Sequence, residues 1–116
     1  MNNENIIEDF FEMNDFLQME TQIVEVLKTV YDPEIPVNIY DLGLIYDIVV
    51  DNNKSVTITM TLTAPNCPLA DFILNNTKES VEAIEGVQNV NINLVFDPPW
   101  SKDMMSEEAL LELGFL

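Results

Sequence analysis

The chain of 116 residues is 47% hydrophobic and carries 21 acidic residues against four lysines, without arginine or histidine. This length suits a single domain, and the formal net charge of −17 argues against binding nucleic acid or anionic membranes, because both are held by clustered Lys and Arg. Because histidine is absent, a Ser-His-Asp triad and a Cys-His pair are excluded. A single cysteine is typical of a reducing compartment, and the sequence shows neither a membrane-spanning run nor a leader pattern, so we expect the cytoplasm.

Two helices are predicted at the start of the chain. Residues 1 to about 18 place apolar side chains at helical spacing between acidic ones, which predicts an acidic amphipathic helix. Residues 20–31 repeat the helical pattern with one apolar stripe. Asp32-Pro33 ends this second helix, because proline disfavours helical backbone angles in the residue before it. We therefore expect an N-terminal extension, residues 1–18, followed by one domain, residues 19–116.

Two strands joined by a short polar turn are predicted next. Residues 43–50 are rich in β-branched and aromatic side chains, which favour strands. Residues 55–63 alternate apolar residues with threonines, so one face should be buried and the threonine row should form the solvated face. The polar residues 51–54 between the two runs predict an antiparallel hairpin.

A helix and a third strand complete the predicted sheet. The helix runs from Pro68 to about residue 85 and ends at Gly86. Its predicted core stripe comprises Leu69, Phe72, Ile73, Val81 and Ile84. The third strand covers residues 87–96, and a strand–helix–strand connection of this length favours a parallel, right-handed crossover. We predict an α/β (α+β) two-layer sandwich, with a small mixed three-stranded sheet and helices on one face.

The tail is predicted to end in a short helix. Ser106 precedes Glu107 and Glu108, a pattern typical of an N-cap followed by an acidic first turn, and Gly114 ends the helix. Trp100 follows two prolines. We predict that Trp100 anchors the tail to the domain, with an interface role as the alternative.

Cys67 is the residue on which chemistry can centre. Pro68 suits the first turn of a helix, which would place Cys67 at the N-cap or just before it, with Asn66 competing for the cap. The helix dipole favours a thiolate there, whereas Asp71 and the net negative charge oppose a further negative charge. On the residues themselves, an inert, buried cysteine is the alternative.

Three carboxylates are candidates to help Cys67 bind a metal. Iron–sulfur clusters usually take four protein ligands, so a site at one cysteine would need a second protomer, a partner protein, a small thiol or carboxylates of this chain. Asp32, Glu34 and Asp41 are the candidates for that help, with a turn or helix-stop role as the alternative for each. The residues expected to border such a site are Thr63, Pro65, Asn66, Pro68 and Trp100.

Three segments agree with one known family in order and spacing. They are residues 32–46 (DPEIPVNIYDLGLIY), residues 63–68 (TAPNCP) and the tail from Asp97 to Ala109. Together they resemble the SufT/PaaD-like family of iron–sulfur cluster assembly proteins over about residues 20–116.

The resemblance implies a two-layer α/β domain and a role in maturing iron–sulfur proteins, with a transient iron–sulfur cluster or iron as its metal. It implies that the functional cysteine of the Asn-Cys-Pro motif is Cys67, and it places Asp32, Glu34 and Asp41 in the family's first signature loop. PaaD carries further cysteines in a C-terminal extension that this sequence lacks, which favours the general assembly role over aromatic degradation. The acidic segment before residue 19 lies outside the shared domain.

Three functional hypotheses follow. In the first, the protein is a non-enzymatic accessory factor in iron–sulfur cluster assembly or delivery, with Cys67 as a transient ligand or client contact. In the second, it is a protein-interaction adaptor with a structural Cys67. The third, a thiol-dependent enzyme, ranks last because no resolving cysteine or general-base histidine is present. The expected partners are iron–sulfur client or carrier proteins, and a homodimer would supply two copies of Cys67.

Overall fold

The structure, a computed structural model, describes residues 16–33 and 35–115. In the described residues, helix α1 occupies residues 16–27. It is followed by β1 (Ile45–Val50), β2 (Ser55–Met60), α2 (Ala70–Glu82), β3 (Asn89–Leu94), a 3-10 helix (Lys102–Met104) and α3 (Glu107–Glu112). Most of the acidic helix predicted over residues 1–18 lies outside the described residues, as does Glu34. No helix in the described ranges is long and apolar enough to cross a bilayer.

The three strands form one mixed sheet in the order β1-β2-β3. β1 and β2 are antiparallel, with Ile48 opposite Ile58, and β2 and β3 are parallel, with Ile58 opposite Ile92. The turn between β1 and β2 is closed by the Asp51 carboxylate, which accepts a hydrogen bond from the Ser55 N–H at 3.0 Å. The predicted hairpin and the parallel crossover are therefore confirmed.

The hydrophobic core lies between the helices and one face of the sheet. Alternation along β2 directs its apolar residues into this core, and the threonines of β2 lie on the opposite face beside Asn91 and Asn93 of β3. The fully buried side chains include Ile23 and Leu27 of α1, Val56, Ile58 and Met60 of β2, Ile73 and Val81 of α2, and Val90 of β3. Burial of this apolar surface is the main stabilising contribution, and the predicted two-layer arrangement with helices on one face is confirmed.

Helix α1 differs from the prediction of two separate helices. It continues without interruption across residue 18, where the first helix was expected to end. It also ends before residue 31, because residues 28–29 form a turn and Tyr31 pairs with Asn38 in an isolated β-bridge. The division into an extension and a domain stays a prediction.

Two side chains lie in environments opposite to those predicted. Thr61, expected on the solvated face, is fully buried, because β2 ends one residue earlier and the chain beyond it no longer follows the strand alternation. Phe72, expected in the core, is 54% exposed, because the buried stripe of α2 is formed by Ile73, Thr77 and Val81. The Thr77 hydroxyl donates to the Ile73 carbonyl at 2.7 Å, which allows a polar side chain to occupy a core position.

The C-terminal helix forms as predicted. Ser106 is its N-cap, and the hydroxyl accepts a hydrogen bond from the Ala109 N–H at 3.1 Å. After the helix, Gly114 adopts a positive φ of 81°, and the Phe115 N–H donates to the Leu110 carbonyl at 2.7 Å. This is the Schellman pattern that commonly ends helices at glycine.

Candidate functional site

Cys67 lies in the turn that connects β2 with α2, at the carboxyl end of the central strand. Helix α2 begins later than predicted, with Leu69 as its N-cap. The prediction that Pro68 opens the helix is therefore wrong, and Cys67 stands two residues before the cap. The Cys67 carbonyl accepts a hydrogen bond from the Ala70 N–H at 3.2 Å, which forms a turn ahead of the helix.

The turn around Cys67 is packed on one side and exposed on the other. The Cys67 side chain is half-buried and contacts the hydrophobic core, whereas Pro65, Asn66 and Pro68 are exposed. The half-buried Thr63 begins the turn. The contact with the core therefore leaves the residue partly exposed.

Asp41 is fixed within its own loop. The Asn38 side-chain amide donates to the Asp41 carboxylate at 2.8 Å, and the Asp41 N–H donates to the Asn38 side-chain oxygen at 2.8 Å. The Asp41 carbonyl accepts a hydrogen bond from the Ser106 N–H at 2.8 Å, which ties this loop to the start of α3. These contacts favour the turn role for Asp41.

Asp32 also belongs to a turn. It is 7% exposed, and its carbonyl accepts a hydrogen bond from the Ile35 N–H at 3.1 Å. Glu34, which was predicted to assist metal binding, lies outside the described residues.

Among the described residues, the predicted metal ligands do not form a ready-made metal site. Within residues 16–33 and 35–115, no three His, Cys, Asp or Glu side chains lie close enough to hold a metal ion together. Cys67, Asp32 and Asp41 therefore form no such group. Their shared role as ligands stays a prediction, and a cargo bound by Cys67 would need ligands from outside the described residues.

Trp100 anchors the tail as predicted. Its indole N–H donates to the Leu42 carbonyl at 2.7 Å, and its half-buried ring packs against the core. A second link joins the same two segments, because the Tyr46 hydroxyl donates to the Pro98 carbonyl at 2.7 Å. The first signature loop and the tail are therefore held together.

A cleft between these two segments was not predicted from the sequence. Its volume is about 680 Å³, and its lining residues are Tyr40, Asp41, Gly43, Ile45, Tyr46, Pro98, Met104 and Ser106. Cys67 is not among them, so the cleft is separate from the cysteine turn. The signal that could have indicated it is the pairing of two family-like segments far apart in sequence, each rich in proline or aromatic residues.

The fold and the cysteine turn together define a small α/β domain of the kind found in iron–sulfur cluster assembly. The chain belongs to the iron-sulfur cluster assembly protein family, whose pattern matches residues 20–94. That range includes the first signature loop and Cys67.

Relatives with similar sequences and structures agree with this assignment. The chain is 64% identical over 103 residues to an Fe-S protein maturation auxiliary factor of Porphyromonas gingivalis, covering 89% of this chain and 98% of the relative. It is 38% identical over 96 residues to the Fe-S protein maturation auxiliary factor YitW of Bacillus subtilis, covering 83% and 94%. The crystal structure of a domain of unknown function from Bacillus anthracis matches with a TM-score of 0.80 and 38% identity, covering 85% and 94%. The predicted family is confirmed.

Proposed function

We propose that this protein is an accessory factor in iron–sulfur cluster assembly or delivery, and that the Cys67 thiol contacts the cargo or the client. The accessory role rests on the family and on relatives named as Fe-S protein maturation auxiliary factors. These names describe auxiliary factors, and we propose no catalysed reaction. The proposed partners are iron–sulfur client or carrier proteins, and the proposed compartment is the cytoplasm, because a lone free thiol suits a reducing environment.

One observation carries the proposed role of Cys67: a half-buried thiol lies in an otherwise exposed turn at the end of the central strand. Thiolate sulfur is a soft ligand that binds iron–sulfur clusters. The contact between Cys67 and the core holds the turn in place, so a partner would meet a ligand that is already positioned.

A cluster or an iron ion would be cargo in this scheme. Cys67 supplies one ligand of the roughly four that a cluster usually takes, and the others would come from a client, a carrier, a small thiol or a second protomer. Coordination by a single protein ligand suits transfer of the cluster or iron ion, because the thiolates of a client would need to replace only its bond to Cys67.

Anaerobic reconstitution with iron and sulfide tests the ligand role. Wild type, Cys67→Ser and the control Asn75→Ala, at an exposed position of α2, would be treated alike, with glutathione present, and then measured for visible absorption and iron per chain. We expect wild type and Asn75→Ala to take up iron, and Cys67→Ser to bind about tenfold less at equal iron, which corresponds to roughly 1.4 kcal/mol of lost binding. Equal uptake by all three proteins, or uptake by none, would contradict the ligand role.

The contact between Cys67 and the core favours a second candidate function, an adaptor in which the cysteine is structural. Cys67→Ala removes the sulfur and leaves the backbone of the turn. In cells that lack the protein, the adaptor function predicts that Cys67→Ala restores the activity of iron–sulfur enzymes fully, whereas the ligand function predicts no restoration. Equal thermal stability of the two proteins would show that any loss comes from the thiol.

A further inference from the structure

The two outer strands of the sheet are built differently. β1 contains a bulge between Ile45 and Asp47, and the Asp47 carboxylate accepts a hydrogen bond from the Ile48 N–H at 2.9 Å. Bulges and charged side chains are among the features that keep edge strands from pairing with other chains. β1 is therefore a protected edge.

β3 has neither of these protections. It contains no charged residue and no proline, and it pairs with β2 in an unbroken register from Asn89 to Leu94. The uncharged run extends from Gly86 to Phe96, in a chain of which 22% of the residues are charged. β3 is therefore a regular, uncharged edge of the kind that pairs readily with another strand.

Alternate residues of β3 direct their backbone groups away from the sheet. The Val95 N–H donates to the Met60 carbonyl at 2.8 Å, so within the paired strand the backbone of Asn91 and Asn93 is directed toward β2. The N–H and C=O groups of Val90, Ile92 and Leu94 therefore point outward. No residue of the described ranges forms a hydrogen bond with these outward groups.

The spacing and the charge of this edge indicate what it binds. Donors and acceptors repeated at every second residue match the backbone of an extended polypeptide. A second copy could offer the same backbone groups, but it would carry the same net charge of −17 and would be repelled. The exposed carboxylates Glu85 and Asp97 lie beyond the two ends of the uncharged strand, where they would attract basic residues. We propose that the edge of β3 binds an extended segment of a partner protein that carries basic residues, which joins the sheet as a fourth strand.

Side chains beside the edge specify the pattern of that segment. Ile92 and Leu94 are half-buried on the face covered by helices, whereas Asn91 and Asn93 are exposed on the open face. Side chains of paired strands meet on the same face. The segment would therefore alternate apolar residues with lysine or other polar residues, and its binding requires no contribution from Cys67.

Amide hydrogen exchange followed by NMR tests the proposal. The probe is a synthetic peptide of about eight residues that alternates valine with lysine and threonine. In the free protein, the amides of Val90, Ile92 and Leu94 should exchange faster than the inward amides of Asn91 and Asn93. We expect the peptide to slow exchange at the outward amides about tenfold or more. A peptide with glutamate in place of lysine should bind about tenfold more weakly.

Matched variants separate the two edges. Ile92→Pro removes one outward N–H from β3, and Val50→Pro removes an outward N–H from β1, since the following Asp51 N–H donates inward to the Ser55 carbonyl. Both positions are half-buried edge sites, where proline is tolerated best within sheets. We expect Ile92→Pro to lose peptide binding and Val50→Pro to retain it. Asn91→Lys changes an exposed residue on the open face and should weaken binding several-fold, because the new lysine repels the basic peptide. This variant tests the proposal if Ile92→Pro does not fold.

Two results would overturn the proposal. The first is unchanged exchange at the outward amides with peptide at millimolar concentration. The second is that these amides become more protected from exchange as the concentration of the free protein rises, while sedimentation detects dimers. This result would mean that the edge binds a second copy of the chain. Cys67→Ser should bind the peptide as wild type does, so this result is independent of the iron uptake that tests the proposed function.

Discussion

Gly43, at the junction of the first signature loop and β1, is held by both its backbone conformation and its surroundings. Its φ is 87°, and a methyl group added to it would lie 2.7 Å from the carbonyl carbon of Met104. A side chain in the left-handed region costs roughly 1–2 kcal/mol, and the overlap with backbone atoms adds to this. We expect Gly43→Ala to lower the free energy of unfolding by about 3 kcal/mol, as measured by urea denaturation.

Gly114 provides the control for this prediction. Its φ is 81°, but a methyl group there would meet nothing within 4 Å. Gly114→Ala should therefore show the backbone cost without the clash, about 1–2 kcal/mol. Equal losses of stability in the two variants would contradict the explanation that the backbone of Met104 lies too close to Gly43 to admit a methyl group.

Some of these residue-level properties could be predicted from the sequence, and others could not. The unusual backbone angles of Gly43 can be inferred from the sequence, because Asp41-Leu42-Gly43 is a turn pattern and turn chemistry is local. The position of Met104 against Gly43 was not predictable, because it depends on how the tail folds back onto the domain. The motif predicts Cys67 as the functional residue, and its contact with the core depends on tertiary packing that the sequence does not show.

At the level of elements, α3 depends on its N-cap because it is only six residues long. The Ser106 hydroxyl accepts a hydrogen bond from the Ala109 N–H at 3.1 Å, and short helices gain little stability from propensity. Ser106→Ala should lower the free energy of unfolding by about 1 kcal/mol, measured by thermal or urea denaturation. Ser106→Thr should restore most of the loss, because threonine keeps the acceptor oxygen.

Ser101 is the matched control for the cap. It precedes the 3-10 helix and makes no side-chain cap hydrogen bond, so Ser101→Ala should change stability by less than about 0.5 kcal/mol. A loss at Ser101 as large as that at Ser106 would contradict a specific capping role.

Elements in which apolar residues repeat at a regular spacing were predictable from the sequence, whereas features that depend on tertiary contacts were not. The alternation in β2 and the length of the connection to β3 predicted the mixed sheet with its parallel crossover. The exposure of Phe72 was not predicted, because Thr77 occupies the core position by donating its hydroxyl proton within its own helix. The asymmetry between the edges of β1 and β3 also required the structure, since it rests on a bulge and on which amides point outward.

Considered as a whole, the molecule has little positive charge to offset its 21 acidic residues. Two of its four lysines, Lys28 and Lys102, lie over the rings of Tyr40 and Phe115, at 5.5 and 4.2 Å from the ring centroids. Unbalanced like charge destabilises a compact state through self-repulsion and attracts partners of opposite charge. The same charge that favours a basic partner at β3 should therefore weaken the fold.

Salt should consequently stabilise this protein. Raising NaCl from about 0.01 M to about 0.15 M shortens the screening length from roughly 30 Å to roughly 8 Å, which weakens repulsion among the carboxylates. We expect a gain of about 1 kcal/mol at pH 7, seen as an increase in Tm of roughly 4–8 °C in thermal denaturation followed by circular dichroism. At acidic pH, where protonation of carboxylates lowers the net negative charge, the same increase in salt should raise Tm by less than half as much. A Tm at pH 7 that stays constant or falls with salt would mean that attractive charge pairs outweigh repulsion, and the charge argument for a basic partner at β3 would lose its support.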